Sequence, residues 1–291
     1  MAKPRVEKKP PLIVMPTDFQ RAAGQAFLHA VTLAKSLRTP LLIMHVIKVP
    51  VDDRGAAPDS RYLGSLKTAA LLELGRLTRI AKERGVEARP LLRYGDPVTS
   101  IVETALQANA EMIVMGTEGR TGWDRLRLGS TAEGLVREAP CPVLTVHGSL
   151  AGQASRPPAR VRLRRLLAVT GSSLISEPVL HLIRRLALPL RAAVCMIDVP
   201  EPDSHDGRRD RSVEKVLIEL RNSGIEAEGR RVAGEPVETI LAEAAAYEAD
   251  LIAVGTHAPR GLKRLVLGSV TEALIRRAGC PVLTVNRHVS R

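Results

Sequence analysis

Aromatic side chains are scarce: the 291 residues include one Trp, three Tyr and two Phe. A surface that grips single strands by stacking bases needs more than that, so nucleic acid is set aside as the main partner. Cysteine is sparse too. Cys141, Cys195 and Cys280 lie far apart, each in an apolar run. An odd, scattered set builds no disulfide framework and suits a reducing cytoplasm. No run of 18 apolar residues exists, which excludes a transmembrane helix. Residues 1–10 carry charge but no apolar core and no small-residue cleavage site. They read as a basic tail, not as a secretory signal. The His and Cys residues show no metal-ligand spacing. Neither G-x-x-x-x-G-K-[ST] nor G-x-S-x-G occurs, so the sequence-recognisable P-loop and nucleophile-elbow chemistries are absent.

What is present is an ordinary globular composition, with 45% apolar and 25% charged residues. The length suggests two domains. Lys and Arg exceed Asp and Glu by 43 to 31, a net charge of +12, and the excess divides evenly between the halves. Such a charge favours anionic partners in general but builds no basic block.

An internal repeat organises the chain. Met112-Ile113-Val114-Met115-Gly116-Thr117 resembles Leu251-Ile252-Ala253-Val254-Gly255-Thr256, at an offset of 139 residues. The same offset relates Gly95-Asp96-Pro97 to Gly234-Glu235-Pro236, Gly129-Ser130 to Gly268-Ser269, and Cys141-Pro142-Val143 to Cys280-Pro281-Val282. Upstream, Leu12–Val14 best matches Leu166–Ala168, about 154 residues on. The period is too long for a solenoid. Two copies of one domain follow: residues 11–147 and 161–288, joined by a Gly, Ser, Pro and Ala-rich linker at 148–160.

Each copy alternates strand and helix. In the first, apolar runs at Pro11–Met15, Leu41–Val46, Ala88–Leu92, Met112–Met115 and Pro142–Val146 read as strands. Phe19–Leu37, Leu63–Arg84, Val98–Asn109 and Thr131–Glu138 read as helices, the second ended by Gly85 and the third opened near Pro97. Continuous apolar strands between helices predict a parallel sheet covered on both faces.

Ligands of such sheets bind beyond the carboxyl ends of strands, where strand order reverses. There the first copy carries Gly116-Thr117-Glu118-Gly119, nine residues, then Gly129-Ser130-Thr131. Glycines let a main chain approach a ligand closely, and successive exposed amides form an anion nest. Ser130 opens a helix, whose N-terminus offers free N–H groups. Arg120, Arg125 and Arg127 add positive charge to a corner suited to a polyphosphate. Ser130-Thr131-Ala132-Glu133 is equally a capping box. At the end of the first strand, Pro16-Thr17-Asp18 brings a carboxylate able to accept from a ribose hydroxyl or adenine amine, or to cap a helix starting at Phe19. Val46 offers an apolar wall for a flat base, and His45 reads as a core histidine.

These residues reach a resemblance. The Pro16-Thr17-Asp18 corner, the Gly95-Asp96-Pro97 turn, the glycine pattern through Gly129-Ser130 and Cys141-Pro142-Val143 resemble the universal stress protein family, in a tandem two-domain form. The resemblance implies two Rossmann-like α/β domains, each a five-stranded parallel sheet of order 3-2-1-4-5 with helices on both faces. It implies pairing through the fifth strands, here within one chain. It implies ATP held by Pro16, Thr17, Asp18, Val46, Met115, Gly116, Gly119, Arg120, Gly129, Ser130 and Thr131. Carboxylates near the phosphate corner are few, so a Mg²⁺ accompanying the nucleotide would lean on the phosphates themselves.

The second copy departs from the pattern. At an offset of 154, Ser172 stands where the first copy has Asp18, and Gly255-Thr256-His257-Ala258-Pro259 replaces the second glycine by Ala258. A methyl group crowds the ligand there, and Pro259 has no N–H to give. The expectation is a nucleotide-sensing module that binds ATP in its first half, with a second half that keeps the fold and serves as pairing partner. A slow ATPase or nucleotide-transferring enzyme, or a structural partner without nucleotide, is the alternative; a homodimer or a further protein partner is left open.

Overall fold

The computed structural model describes residues 10–49, 60–117, 128–147, 161–170, 177–199, 207–256 and 268–286. The first half runs β1 (Leu12–Pro16), α1 (Arg21–Leu37), β2 (Leu41–Ile47), α2 (Ser60–Glu83), β3 (Ala88–Tyr94), α3 (Pro97–Gln107), β4 (Ala110–Gly116), α4 (Ser130–Glu138) and β5 (Val143–Val146). The second half repeats the order: β6 (Arg165–Thr170), α5 (Glu177–Leu190), β7 (Ala193–Asp198), α6 (Gly207–Asn222), β8 (Ala227–Arg231), α7 (Pro236–Ala246), β9 (Leu251–Gly255), α8 (Ser269–Arg277) and β10 (Val282–Val285). The 13 residues of the linker at 148–160 lie outside the described residues.

Local chemistry explains the element ends. Gly85 sits at φ +79 after α2, where the left-handed turn lets its N–H reach Lys82 O and lets Val86 N–H reach Ala81 O. Asp96 caps α3 by accepting from Thr99 N–H at 2.9 Å, with Pro97 in the first turn. Glu235 repeats the device on α7 through Glu238 N–H at 2.9 Å.

The strands form one ten-stranded sheet in the order β3-β2-β1-β4-β5-β10-β9-β6-β7-β8. Each half therefore has the order 3-2-1-4-5, parallel throughout. At the centre β5 and β10 run antiparallel, Leu144 opposite Leu283. Thr145 donates its hydroxyl to Val282 O at 3.0 Å, and Thr284 returns the bond to Val143 O at 3.1 Å. Across the same junction Asn286 Nδ2 donates to Ala139 O at 3.2 Å. Arg185 on α5 clamps Glu111 at the start of β4 with two bonds, one of them Nη2 to Oε2 at 2.7 Å.

Because successive strand residues face opposite sides, the core splits into two layers. Ile13 and Met15 pack under α1, α2, α5 and α6. Leu12 and Val14 pack under α3, α4, α7 and α8. Both layers run through both halves. The outermost strands, β3 and β8, expose Arg89 and Arg93, and Glu228 and Arg230, which discourages edge pairing with another chain.

Candidate functional site

Strand order reverses between β1 and β4, and a cleft of about 190 Å³ opens there, beyond the carboxyl ends of β1, β2 and β4. Its rim begins with the turn after β1. Thr17 is buried, and its N–H continues the ladder to Met44 O. Its Oγ1 accepts from Phe19 N–H at 2.9 Å, and Asp18 Oδ1 accepts from Gln20 N–H at 2.9 Å. Phe19 takes φ 64, so the chain turns sharply before α1 begins at Arg21. Asp18 is thus not the cap of α1, whose N-cap is Gln20. Its carboxylate stiffens the turn with one oxygen, and the other has no partner among the described residues.

Beta-strand β2 supplies the apolar wall: Met44 and Val46 line the cleft with Met115 from β4 and Ile101 from α3. His45 also lines it and is half-buried, not a core residue. Its Nδ1–H donates to Thr17 O at 2.7 Å, and its ring lies 4.5 Å from that of Phe19. A carbonyl can only accept, so Nδ1 carries the proton, and Nε2 of the neutral ring is an acceptor. Sequence reasoning missed this residue; the available signal was its place one residue before Val46 at a strand end.

The opposite wall is the start of α4. Gly129 is the N-cap, at φ −61 and ψ 142, and the first helical bond is Glu133 N–H to Gly129 O at 3.0 Å. A capping box would have put Ser130 in the N-cap place, with its hydroxyl on Glu133 N–H. Instead Ser130, Thr131 and Ala132 fill the first turn, and no side chain caps it. Their amides have no partner among the described residues, and all three residues line the cleft. Orphan donors at the positive end of a helix favour negative charge.

Two bonds hold the corner between β4 and α4 together. Thr117 O accepts from Gly129 N–H at 3.1 Å, which ties the end of β4 to the start of α4. Thr117 Oγ1 shares a 3.0 Å bond with His147 Nδ1. Burial pushes the His147 pKa below the usual histidine range, and the Ile275 main chain of the second half partly opposes it. His147 Nε2 lies outside hydrogen-bond geometry with that or any other described group.

Gly116 has a packing reason beside the one its motif suggests. An added Cβ would lie 2.6 Å from the Ala22 carbonyl carbon and 2.8 Å from Ala23 N. The glycine lets α1 cross the end of β4, which shapes the cleft through Ala23. Of the expected ligand set, Pro16, Thr17, Asp18, Val46, Met115, Gly116, Gly129, Ser130 and Thr131 therefore meet at one cleft. Gly119 and Arg120 lie outside the described residues, as do Glu118, Trp123, Arg125 and Arg127.

The second half differs on the side of the wall, not of the helix. Ile13 opposes Met112 and Leu166 opposes Leu251, so the first strands of the halves are related by 153 residues rather than 154. Asp18 then corresponds in sequence to Gly171, not Ser172; neither carries a carboxylate. His45 corresponds to Asp198, a buried carboxylate 3.7 Å from Arg231 Nε. Gly268 is again the N-cap, so the first turn of α8 begins at Ser269 without a side-chain cap. His257, Ala258 and Pro259 lie outside the described residues.

The fold and the cleft define a class: a doubly wound α/β protein, duplicated in tandem, with an uncapped helix N-terminus at the switch point of its first half. The comparisons place it further. The model of the Universal stress protein family matches residues 12–147 and 164–286, and the chain belongs to that family. A universal stress protein of Methanocaldococcus jannaschii is 37% identical over 136 residues, 46% of this chain and 80% of that protein. One from Mycobacterium tuberculosis is 25% identical over 307 aligned residues, 99% of this chain and 100% of that protein. The solved structure of a universal stress protein from Archaeoglobus fulgidus covers 95% of this chain and is itself covered to 98%, with a TM-score of 0.75 and 21% identity. That likeness shows the fold.

Proposed function

We propose that the first half binds ATP and that the chain works as a nucleotide-sensing module of the stress response, not as a turnover enzyme. The observation that carries this is the convergence, in one cleft, of an apolar wall, a carboxylate with a spare oxygen, and three free main-chain donors. A base fits the wall of Val46, Met44 and Met115. Asp18 accepts from the ribose or the adenine amine. The amides of Ser130, Thr131 and Ala132 receive the phosphates, since they and the helix dipole favour anions. A Mg²⁺ would neutralise phosphate charge; among the described residues lining the cleft, Asp18 is the one carboxylate. Thr117 touches the phosphate corner and, through His147, the second half. Occupancy of the cleft is thereby felt at the β5–β10 junction. The second half acts as a folded partner whose own cleft lacks the carboxylate of Asp18 and carries Asp198 where the first half has His45. We place the molecule in the cytoplasm.

The test uses a main-chain change. Proline is tolerated at the first helical position, and the residue before it must be extended, as Gly129 already is at ψ 142. Ser130→Pro therefore removes one amide donor and keeps the helix, while Ser130→Ala removes the hydroxyl alone. A charge-assisted bond contributes roughly 1.5–3 kcal/mol, so Ser130→Pro weakens ATP binding about tenfold or more. Unchanged affinity in Ser130→Pro overturns the reading, and sustained phosphate release with ATP in excess shows an ATPase instead.

A further inference from the structure

At the other end of the strands, the two halves enclose a groove of about 1030 Å³ that the nucleotide reading does not use. One wall is α1, with Thr32 and Ser36 one turn apart. The other is the lead into β6, Val161–Arg164, and the end of α5, Pro189–Arg191. The lead alternates. Leu163 is buried in the core and Val161 packs against it, while Arg162 and Arg164 stand exposed on the opposite side.

The main chain that presents these arginines is fixed. Asp250 Oδ2 accepts from the N–H groups of both Arg164 and Arg165, at 2.7 and 3.0 Å. Ala193 N–H donates to Arg164 O. Arg191 sits at φ 51 as the turn after α5, its N–H on Leu188 O. The guanidinium groups are a different matter. Elsewhere in the second half, Arg165 pairs with Glu248, Arg184 with Glu219, Arg185 with Glu111 and Arg277 with Glu238. Those of Arg162, Arg164 and Arg191 have no hydrogen bond or ion pair among the described residues. In sequence, 148–160 contains no acidic residue and includes Arg156 and Arg160.

We propose that this groove is a second ligand site, which takes a small inorganic oligophosphate. Three forked donors converge on one volume, and each suits a phosphate oxygen pair. Ser36 offers a hydroxyl on the facing wall, one turn from Thr32, whose own hydroxyl donates to Leu28 O at 2.9 Å. Among the described residues of the lining, Arg162, Arg164 and Arg191 meet no acidic side chain, which suits an anion of several charges. A nucleic acid would share the phosphate chemistry, and the test tells the two apart.

The probe is inorganic tripolyphosphate, titrated by calorimetry into the intact chain at about 0.15 M salt, where surface charges are screened beyond roughly 8 Å. One equivalent binds, and still binds with ATP saturating. Arg162→Ala, Arg164→Ala and Arg191→Ala each weaken it about tenfold, and the triple variant abolishes it. The three Arg→Lys variants, which keep charge and fold, lose part of the affinity because the fork is gone. Equal affinity in the triple and Lys variants overturns the proposal. So does loss of tripolyphosphate binding in Ser130→Pro, which would assign it to the first cleft. A decanucleotide of single-stranded RNA that displaces the probe at lower concentration assigns the groove to nucleic acid. ATP binding is read separately in the same series, so a failure of either site is seen without the other.

Discussion

Two glycines at and within α1's packing make opposite predictions. Gly116 ends β4 beneath α1, and Gly24 lies in α1 itself. A methyl at Gly116 would meet the Ala22 carbonyl carbon at 2.6 Å, Ala22 Cβ at 2.8 Å and Ala23 N at 2.8 Å. Carbon contacts settle near 3.5–4.0 Å, so α1 must retreat by roughly 1 Å. The obstacle is main chain, which cannot swing aside as a side chain can. Overpacking of this kind costs about 1–3 kcal/mol. At Gly24 a Cβ meets nothing within 4 Å, and replacing a helical glycine by Ala adds about 0.5–1 kcal/mol. Urea unfolding followed by circular dichroism reads both: the midpoint falls for Gly116→Ala and rises for Gly24→Ala at an unchanged slope. Gly116→Ala also weakens ATP binding, because Ala23 of the displaced helix lines the cleft. A midpoint for Gly116→Ala at or above that of the parent refutes the packing argument and returns Gly116 to a role in ligand approach alone.

Asp18→Ala lowers ATP affinity at least tenfold in equilibrium dialysis, while its loss of the Gln20 bond costs only about 1 kcal/mol of stability. Arg185→Ala leaves Glu111, whose side chain is 10% exposed, without its clamp; denaturation shows a loss of about 1–3 kcal/mol, smaller for Arg185→Gln. His147 has a folded pKa depressed by burial. It therefore contributes stability that is present above its unfolded value near 6.5 and is lost as pH falls through the folded value. Thermal melts of His147→Asn, the residue its counterpart Asn286 supplies, decline less steeply below that pH; His29, depressed for the same reason, leaves a residual slope.

Strands were legible because parallel strands buried on both faces leave continuous apolar runs, as in β1, buried throughout. That same continuity hid the register. A run without alternation matches its repeat almost as well one residue out, so Leu12–Val14 fits Leu166–Ala168 by eye while the ladder pairs Ile13 with the place of Leu166. The place of Gly129-Ser130-Thr131 at the cleft was legible in the sequence, but the N-cap was not. Gly129 and Ser130 are both acceptable caps, and only the bond from Glu133 N–H to Gly129 O decides between them. The packing constraint on Gly116 was not legible, since its steric partner Ala22 lies 94 residues away in sequence. His45 and Thr117 entered the cleft through contacts with Thr17 and His147 that no local motif encodes.

Calorimetric titration of ATP into the intact chain, alongside Ser130→Pro and its counterpart Ser269→Pro, tests the central claim most directly. The first-half cleft predicts one ATP per chain that Ser130→Pro weakens and Ser269→Pro leaves alone. Binding that survives Ser130→Pro and disappears with Ser269→Pro contradicts it.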